Sequence, residues 1–170
     1  MIKLKKLIIA LFLVTVLILV NKKETKVLIP EDAIRFRIIA NSNKLEDQIQ
    51  KLGIKKELEP VITNILSTSN SFDETRKEIK NNMYEVKNIL NKYDTQYKIN
   101  YGLNYFPEKN YKGVTYKAGE YESLVVTLGD GLGDNWWCVL FPPLCLLEAS
   151  EEDYDDITYT SYVKELLNKY

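Results

Sequence analysis

The stretch GDGLGDNWWCVLFPPLC, Gly129–Cys145, gathers three glycines, paired tryptophans, paired prolines and both cysteines of the chain. A phosphate loop needs a lysine and a hydroxyl residue after its last glycine, to meet phosphate and magnesium. Here Asp134 and Asn135 follow Gly133. A dinucleotide loop leads into a helix whose amide dipoles hold the pyrophosphate, whereas Trp136 to Phe141 continues as a strand-like run. Asp130 and Asp134 would also repel an anion. The glycines therefore read as a turn that requires positive φ. Upstream of it, Glu120 to Leu128 alternates and then becomes apolar on both faces, the pattern of an interior strand. The turn is expected to join this strand to Trp136–Phe141 as a hairpin.

Further upstream, Ile34, Phe36, Ile38 and Ala40 alternate with Arg35 and Arg37, a strand with one buried face. Asn43 and Glu46 resemble a capping box ahead of a helix with apolar positions Leu45, Ile49, Leu52, Leu58, Ile62 and Ile65. Pro60 predicts a kink or break near Leu58. Ser71 and Glu74 open a second helix carrying Phe72, Ile79, Met83, Val86, Leu90 and Tyr93. Gln96 to Asn104 alternates as a strand, and a loop with Pro107 and Gly113 follows. Strand, two helices and three strands predict an α/β two-layer sandwich: a mixed, mostly antiparallel sheet of about four strands with two longer helices.

The chain has 170 residues, with 23 basic and 24 acidic side chains and no histidine. Interleaved charges argue against nucleic-acid binding, and the lack of imidazole excludes Ser-His-Asp, Cys-His and histidine–zinc chemistry. Residues 1–20 carry Lys3, Lys5 and Lys6 ahead of an uncharged run from Leu7 to Val20. As a helix that run spans about 21 Å, short of a hydrocarbon core. It reads as an export signal, or as an uncleaved membrane anchor because Asn21, Lys22 and Lys23 replace a small-residue cleavage site. Residues 21–30 form a polar tether, 31–147 the domain, and 148–170 an acidic linker with a short C-terminal helix bearing Tyr159, Tyr162, Val163, Leu166, Leu167 and Tyr170. The linker acids, Glu148, Glu151, Glu152, Asp153, Asp155 and Asp156, lack the ordered glycine and carbonyl spacing of a cation loop.

Glu120 and Glu122, two apart on a strand, project from one face and are the best catalytic pair, of the kind that cleaves glycosides. The competing structural reading pairs them across the sheet with Arg35 and Arg37. Cys138 and Cys145 have too few partners for zinc. They form either a disulfide or two buried thiols, and the disulfide requires Pro142 and Pro143 to reverse the chain. Trp136 and Trp137 must point to opposite faces, so either both faces are covered or one ring is exposed as a contact. No cofactor or metal is expected.

Together, IRFRIIANSN (Ile34–Asn43), YKAGEYESL (Tyr116–Leu124) and NWWCVLFPPLC (Asn135–Cys145) resemble the stage II sporulation protein R family, over about Ile34 to Leu147. Asn43 and Lys117 depart from the family's usual Asp and Pro. The resemblance implies a signalling protein, not an enzyme. It would be exported from the forespore into the space between forespore and mother-cell membranes, secreted or held by residues 7–20. There it would activate a membrane-embedded aspartic protease, stage II sporulation protein GA, that processes the sigma E precursor. Residues at strand ends and turns within these motifs, Asn41, Ser42, Glu120, Tyr121, Asn135, Trp136 and Trp137, are the expected partner contacts. The alternative is an extracytoplasmic cell-wall hydrolase using Glu120 and Glu122.

Overall fold

The computed structural model describes residues 27–30, 32–111, 114–145 and 156–169. The signal or anchor segment, most of the tether and most of the acidic linker lie outside them. Among the described residues no helix is long and apolar enough to cross a membrane.

The strands are β1 (Val27–Leu28), β2 (Ile34–Ile39), β3 (Tyr97–Phe106), β4 (Lys109–Tyr111), β5 (Val114–Tyr116), β6 (Gly119–Leu128) and β7 (Asn135–Phe141). The helices are α1 (Leu45–Ser67), α2 (Phe72–Asn81), α3 (Met83–Leu90) and α4 (Asp156–Lys169). The main sheet is mixed, in the order β3-β6-β2-β7: β2 runs parallel to β6, and the outer two pairings are antiparallel. The α/β class and four-stranded mixed sheet are those the sequence predicts.

The hairpin is not. β6 and β7 do not touch as partners, because β2 lies between them. Instead of turning beside β6, the connection crosses the end of β2: the Gly133 and Leu132 amides donate to the Ala40 and Asn41 carbonyls, both at 2.9 Å. β2 takes the inner place because both of its faces are buried. Ile34, Phe36 and Ile38 are at most 1% exposed towards the helices, and Arg35 is 0% exposed on the other side. The expected single buried face therefore fails at Arg35.

The helix-side core joins Ile34, Phe36, Ile38, Leu124, Val126, Leu128 and Leu140 to Ile54, Leu58, Ile62 and Ile65 of α1, Ile79 of α2, and Val86 and Leu90 of α3. The stripe expected on α1 is correct only in its second half. Leu45, Ile49 and Leu52 point outward, while Ile54, Leu58, Val61, Ile62, Ile65 and Leu66 face the sheet. No break occurs at Pro60; the helix continues to Ser67. The second helix divides at Asn82 into α2 and α3. At its start Ser71 Oγ accepts from the Glu74 amide, and the Glu74 carboxylate accepts from the amide of Asn70, one residue earlier than a standard box.

A third layer covers the opposite face. The end of the expected tether forms β1, and the expected Gly113 loop contains a β4–β5 hairpin; together they make a small sheet ordered β1-β5-β4. Ile29, Ala33, Val114, Tyr116, Leu144 and Val163 pack there against Phe106, Tyr121, Trp137 and Val139. Val163 is 0% exposed, so α4 docks on the domain.

Cys138 and Cys145 form a disulfide with a Cα separation of 5.3 Å, after Pro142–Pro143 reverses the chain. Closing a loop with sequence separation 7 stabilises the fold by about 2.5 kcal/mol in the chain-entropy treatment. Reduction should lower the unfolding free energy extrapolated from urea by that amount, and the urea midpoint in proportion. An unchanged midpoint in dithiothreitol, with free thiols verified, would contradict it.

Candidate interaction site

The glycine turn and the residues after β2 form one clamp. Gly129 (φ 52°) and Gly131 (φ 68°) occupy the left-handed region, as expected. At Gly133 the reason is proximity: an added Cβ would lie 2.3 Å from the Ser42 carbonyl oxygen. Asn41 Oδ1 accepts from the Asp130 amide at 2.9 Å, and Asn43 Oδ1 accepts from the Asp134 amide at 2.6 Å. Asn43 is thereby turned towards the loop, so the expected Asn43–Glu46 box does not form; Lys44 is the N-cap and makes no side-chain cap bond. Asp47 accepts from Asn41 Nδ2 and the Ser42 hydroxyl. The Ser42 bond first, then the Asn41 bond and the Lys44 charge, hold its carboxyl below the ordinary range despite partial desolvation. Lys51, 6% exposed, donates to the Asp134 carbonyl at 2.9 Å and to Gln48 at 2.6 Å. Burial depresses its pKa, and Asp134 partly offsets this.

The clamp delivers the chain into β7 with the tryptophans on opposite faces. Trp137 is 9% exposed and meets Tyr116 (centroids 4.9 Å) and Phe106 (5.6 Å) edge to face. Trp136 is half-buried on the helix side, edge to face with Phe36 at 5.7 Å, with Lys55 Nζ 5.2 Å from its ring. It forms one wall of a hollow of about 20 Å³ with Phe36, Ile62, Leu66 and Cys145, where Lys55 and Glu59 pair at 2.7 Å. Asn135 beside it is exposed.

The seven expected contacts are not brought together. Asn41, Ser42, Asn135 and Trp136 lie at one end of the sheet. Glu120 and Tyr121 lie at the other, about 23 Å away along β6, counting seven residues from Glu120 to the level of Asn135. Tyr121, 3% exposed, and Trp137 belong to the core of the second face. Asn41 and Ser42 spend their polar groups on the clamp. Asn135 and Glu120 are exposed, and Trp136, like Asn41 and Ser42, is half-buried.

The expected pairing of Glu120 and Glu122 with Arg35 and Arg37 does not exist. Arg35 stands opposite Ser123, so odd positions of β2 and β6 share the second face and the glutamates point to the helices. Glu122 meets Arg76 of α2 instead (2.9 Å) and accepts from the Tyr101 hydroxyl (2.6 Å). Burial pulls its carboxyl upward, but the Arg76 and Tyr101 bonds outweigh it and hold the pKa low. A general acid needs the reverse shift. Glu120 is exposed. Glu122 is therefore not set up as the acid of such a pair.

Because Glu122 is held ionised, its contribution is present above the unfolded value near 4.3 and disappears as pH falls through the lower folded value. Glu122→Gln should cost about 1–2 kcal/mol at pH 7, given the partial exposure of Arg76, and flatten the acid limb of urea stability between pH 5 and about 3. An acid limb as steep as wild type would assign that dependence to other carboxylates.

Arg35, expected across the sheet from the glutamates, is buried among aromatic rings instead. Its guanidinium carbon lies 3.3 Å from the Tyr121 ring centroid, 5.2 Å from Phe106 and 5.3 Å from Trp137. None of its side-chain nitrogens has a hydrogen-bond partner among the described residues. Among the described residues no group of three or more His, Cys, Asp and Glu side chains could hold a metal ion.

The geometry defines a class first: a disulfide-closed α/β domain that presents an aromatic side chain from a clamped turn. Within that class the chain belongs to the stage II sporulation protein R family, whose model matches residues 30–151, and so stands among sporulation proteins. It is similar to stage II sporulation protein R of Bacillus subtilis (strain 168), 41% identical over 130 residues, which is 73% of this chain and 58% of the relative. No solved structure matches it.

Proposed function

We propose that this chain is an exported sporulation signal that activates a membrane-embedded aspartic protease of the stage II sporulation protein GA kind, acting on the sigma E precursor, by binding its extracytoplasmic side. The observation that carries this reading is the clamp: Asn41 and Asn43, and the glycine turn that precedes Asn135, both inside the family match, join to hold Asn135 and Trp136 at one end of the sheet. A half-buried tryptophan beside an apolar hollow is the anchor chemistry of a protein interface. The disulfide fits an oxidising, extracytoplasmic site of action. Activation follows only if the domain binds the protease's active state more tightly than its inactive one.

The test is co-expression with the protease and the sigma precursor in a non-sporulating host, with cleavage scored by electrophoresis. Trp136→Ala should lower the cleavage rate about thirtyfold, the loss of a 2 kcal/mol anchor, while leaving the protein folded. Cleavage at full rate without this chain would overturn the reading.

A further inference from the structure

The two edges of the main sheet differ. At one edge, β7 is buried from Trp137 to Phe141; at the other, no residue of β3 from Tyr97 to Tyr105 is buried. β3 has β6 on one side and, among the described residues, no strand on the other. Natural edge strands are shielded by charges, prolines or bulges, since unpaired amides and carbonyls template pairing with another chain. From Ile99 to Phe106 this strand, INYGLNYF, has neither charge nor proline. Leu103 (70% exposed) and Tyr105 (61%) stand uncovered on the helix-side face.

We propose that β3 is a homodimer interface, pairing antiparallel with β3 of a second copy about a two-fold axis at Gly102. The sequence selects the occupant, because it is self-complementary about that residue. This register sets Tyr101 opposite Leu103 of the second copy, Ile99 opposite Tyr105, and Asn100 opposite Asn104. Apolar positions meet apolar ones on the helix-side face, and side-chain amides meet on the other. Directly opposed pairs of these kinds each contribute about 0.2–1 kcal/mol. Within one chain Asn100 Nδ2 donates to Asn104 Oδ1 at 2.8 Å, and Asn104 Nδ2 is spent on Gly102 O and Ser123 Oγ, which leaves the second Asn100 proton to meet the counterpart's Asn104 Oδ1. The sheets then continue into one of eight strands, with both sets of helices on one side. The proposal is independent of the protease reading.

The test uses the full-length chain. A Cβ at residue 102 meets nothing within 4 Å, so Gly102→Cys fits the protomer, and the native cysteines are already bonded to each other. A short bis-maleimide should cross-link Gly102→Cys to itself at least tenfold more than Lys98→Cys, which faces Phe106 of the second copy. Adding Leu103→Lys, at an exposed position beside Glu122, should abolish the cross-link while the protein still melts in one cooperative transition, lower only by the lost association. Equal cross-linking at 98 and 102, or none at 102, overturns the proposal; so does a 102 cross-link that forms only to another protein. If Gly102→Cys does not fold, sedimentation of wild type against Leu103→Lys decides: dimer against monomer supports the interface, and identical mass overturns it.

Discussion

Arg35→Met is expected to unfold within about 1 kcal/mol of wild type, and Arg35→Ala about 3–4 kcal/mol below it. Arg35 is fully buried, and burial pushes its pKa down to about 10, opposed by the phenols of Tyr121 and Tyr116. That depression represents a cost of roughly 3 kcal/mol to the folded state at neutral pH. Tyr121, with Phe106 and Trp137 behind it, returns about 2 kcal/mol or more through cation–ring attraction. Methionine fills similar volume and removes both terms, leaving little net change, as often follows when a buried charge is replaced by a hydrophobe. Alanine also removes both terms, but leaves a cavity between the main sheet and Tyr116, and the cavity sets the loss. Urea unfolding at pH 7 separates the cases. Were the methionine variant as unstable as the alanine one, the charge itself would be holding the third layer in place.

This arginine also shows where the sequence is legible and where it is not. Strand and helix positions follow from periodicity, so β2, β3, β6, β7 and the Ser71 start of α2 fall where expected. Periodicity does not say which strand is central. The alternation of Arg35 and Arg37 with isoleucines reads as a wet face, and only the third layer reveals that Arg35 is dry. The hairpin error has the same origin, since a glycine turn between two apolar strands does not disclose that β2 will enter between them. On α1 the stripe from Leu45 is as apolar as that from Ile54, yet the sheet covers only the latter. The clamp could not be read locally either, because Asn41 and Asp130 are 89 positions apart. Its first half, Asn41–Asn43, closes one motif of the family resemblance, and its second, Asp130–Asp134, directly precedes another, the only local sign that the two belong together. For Cys138 and Cys145 the missing information was the reversal at Pro142–Pro143.

Trp137→Ala is expected to destabilise the domain by about 4 kcal/mol, the range for a buried large aromatic, and to lower sigma precursor processing only through that loss. Trp137 is the hinge between layers: it touches Phe106 of β3, Tyr116 of β5 and the Arg35 guanidinium, and Lys109 Nζ lies 5.1 Å from its ring. Without it the small sheet loses its anchor on the main sheet, and edge-to-face contacts of about 0.5–1.5 kcal/mol each are removed. Among the described residues Trp136 has one ring partner, and it is only half-buried, so Trp136→Ala should cost only about 1–2 kcal/mol while removing the contact surface. The discriminating variant is Trp137→Phe, which restores most of the buried volume and should recover both the urea midpoint and processing. Trp136→Phe should keep the midpoint and still process poorly, because a smaller ring fills less of the interface. If Trp137→Phe folds normally yet fails to process, Trp137 contacts the partner directly and the assignment of roles between the two tryptophans reverses.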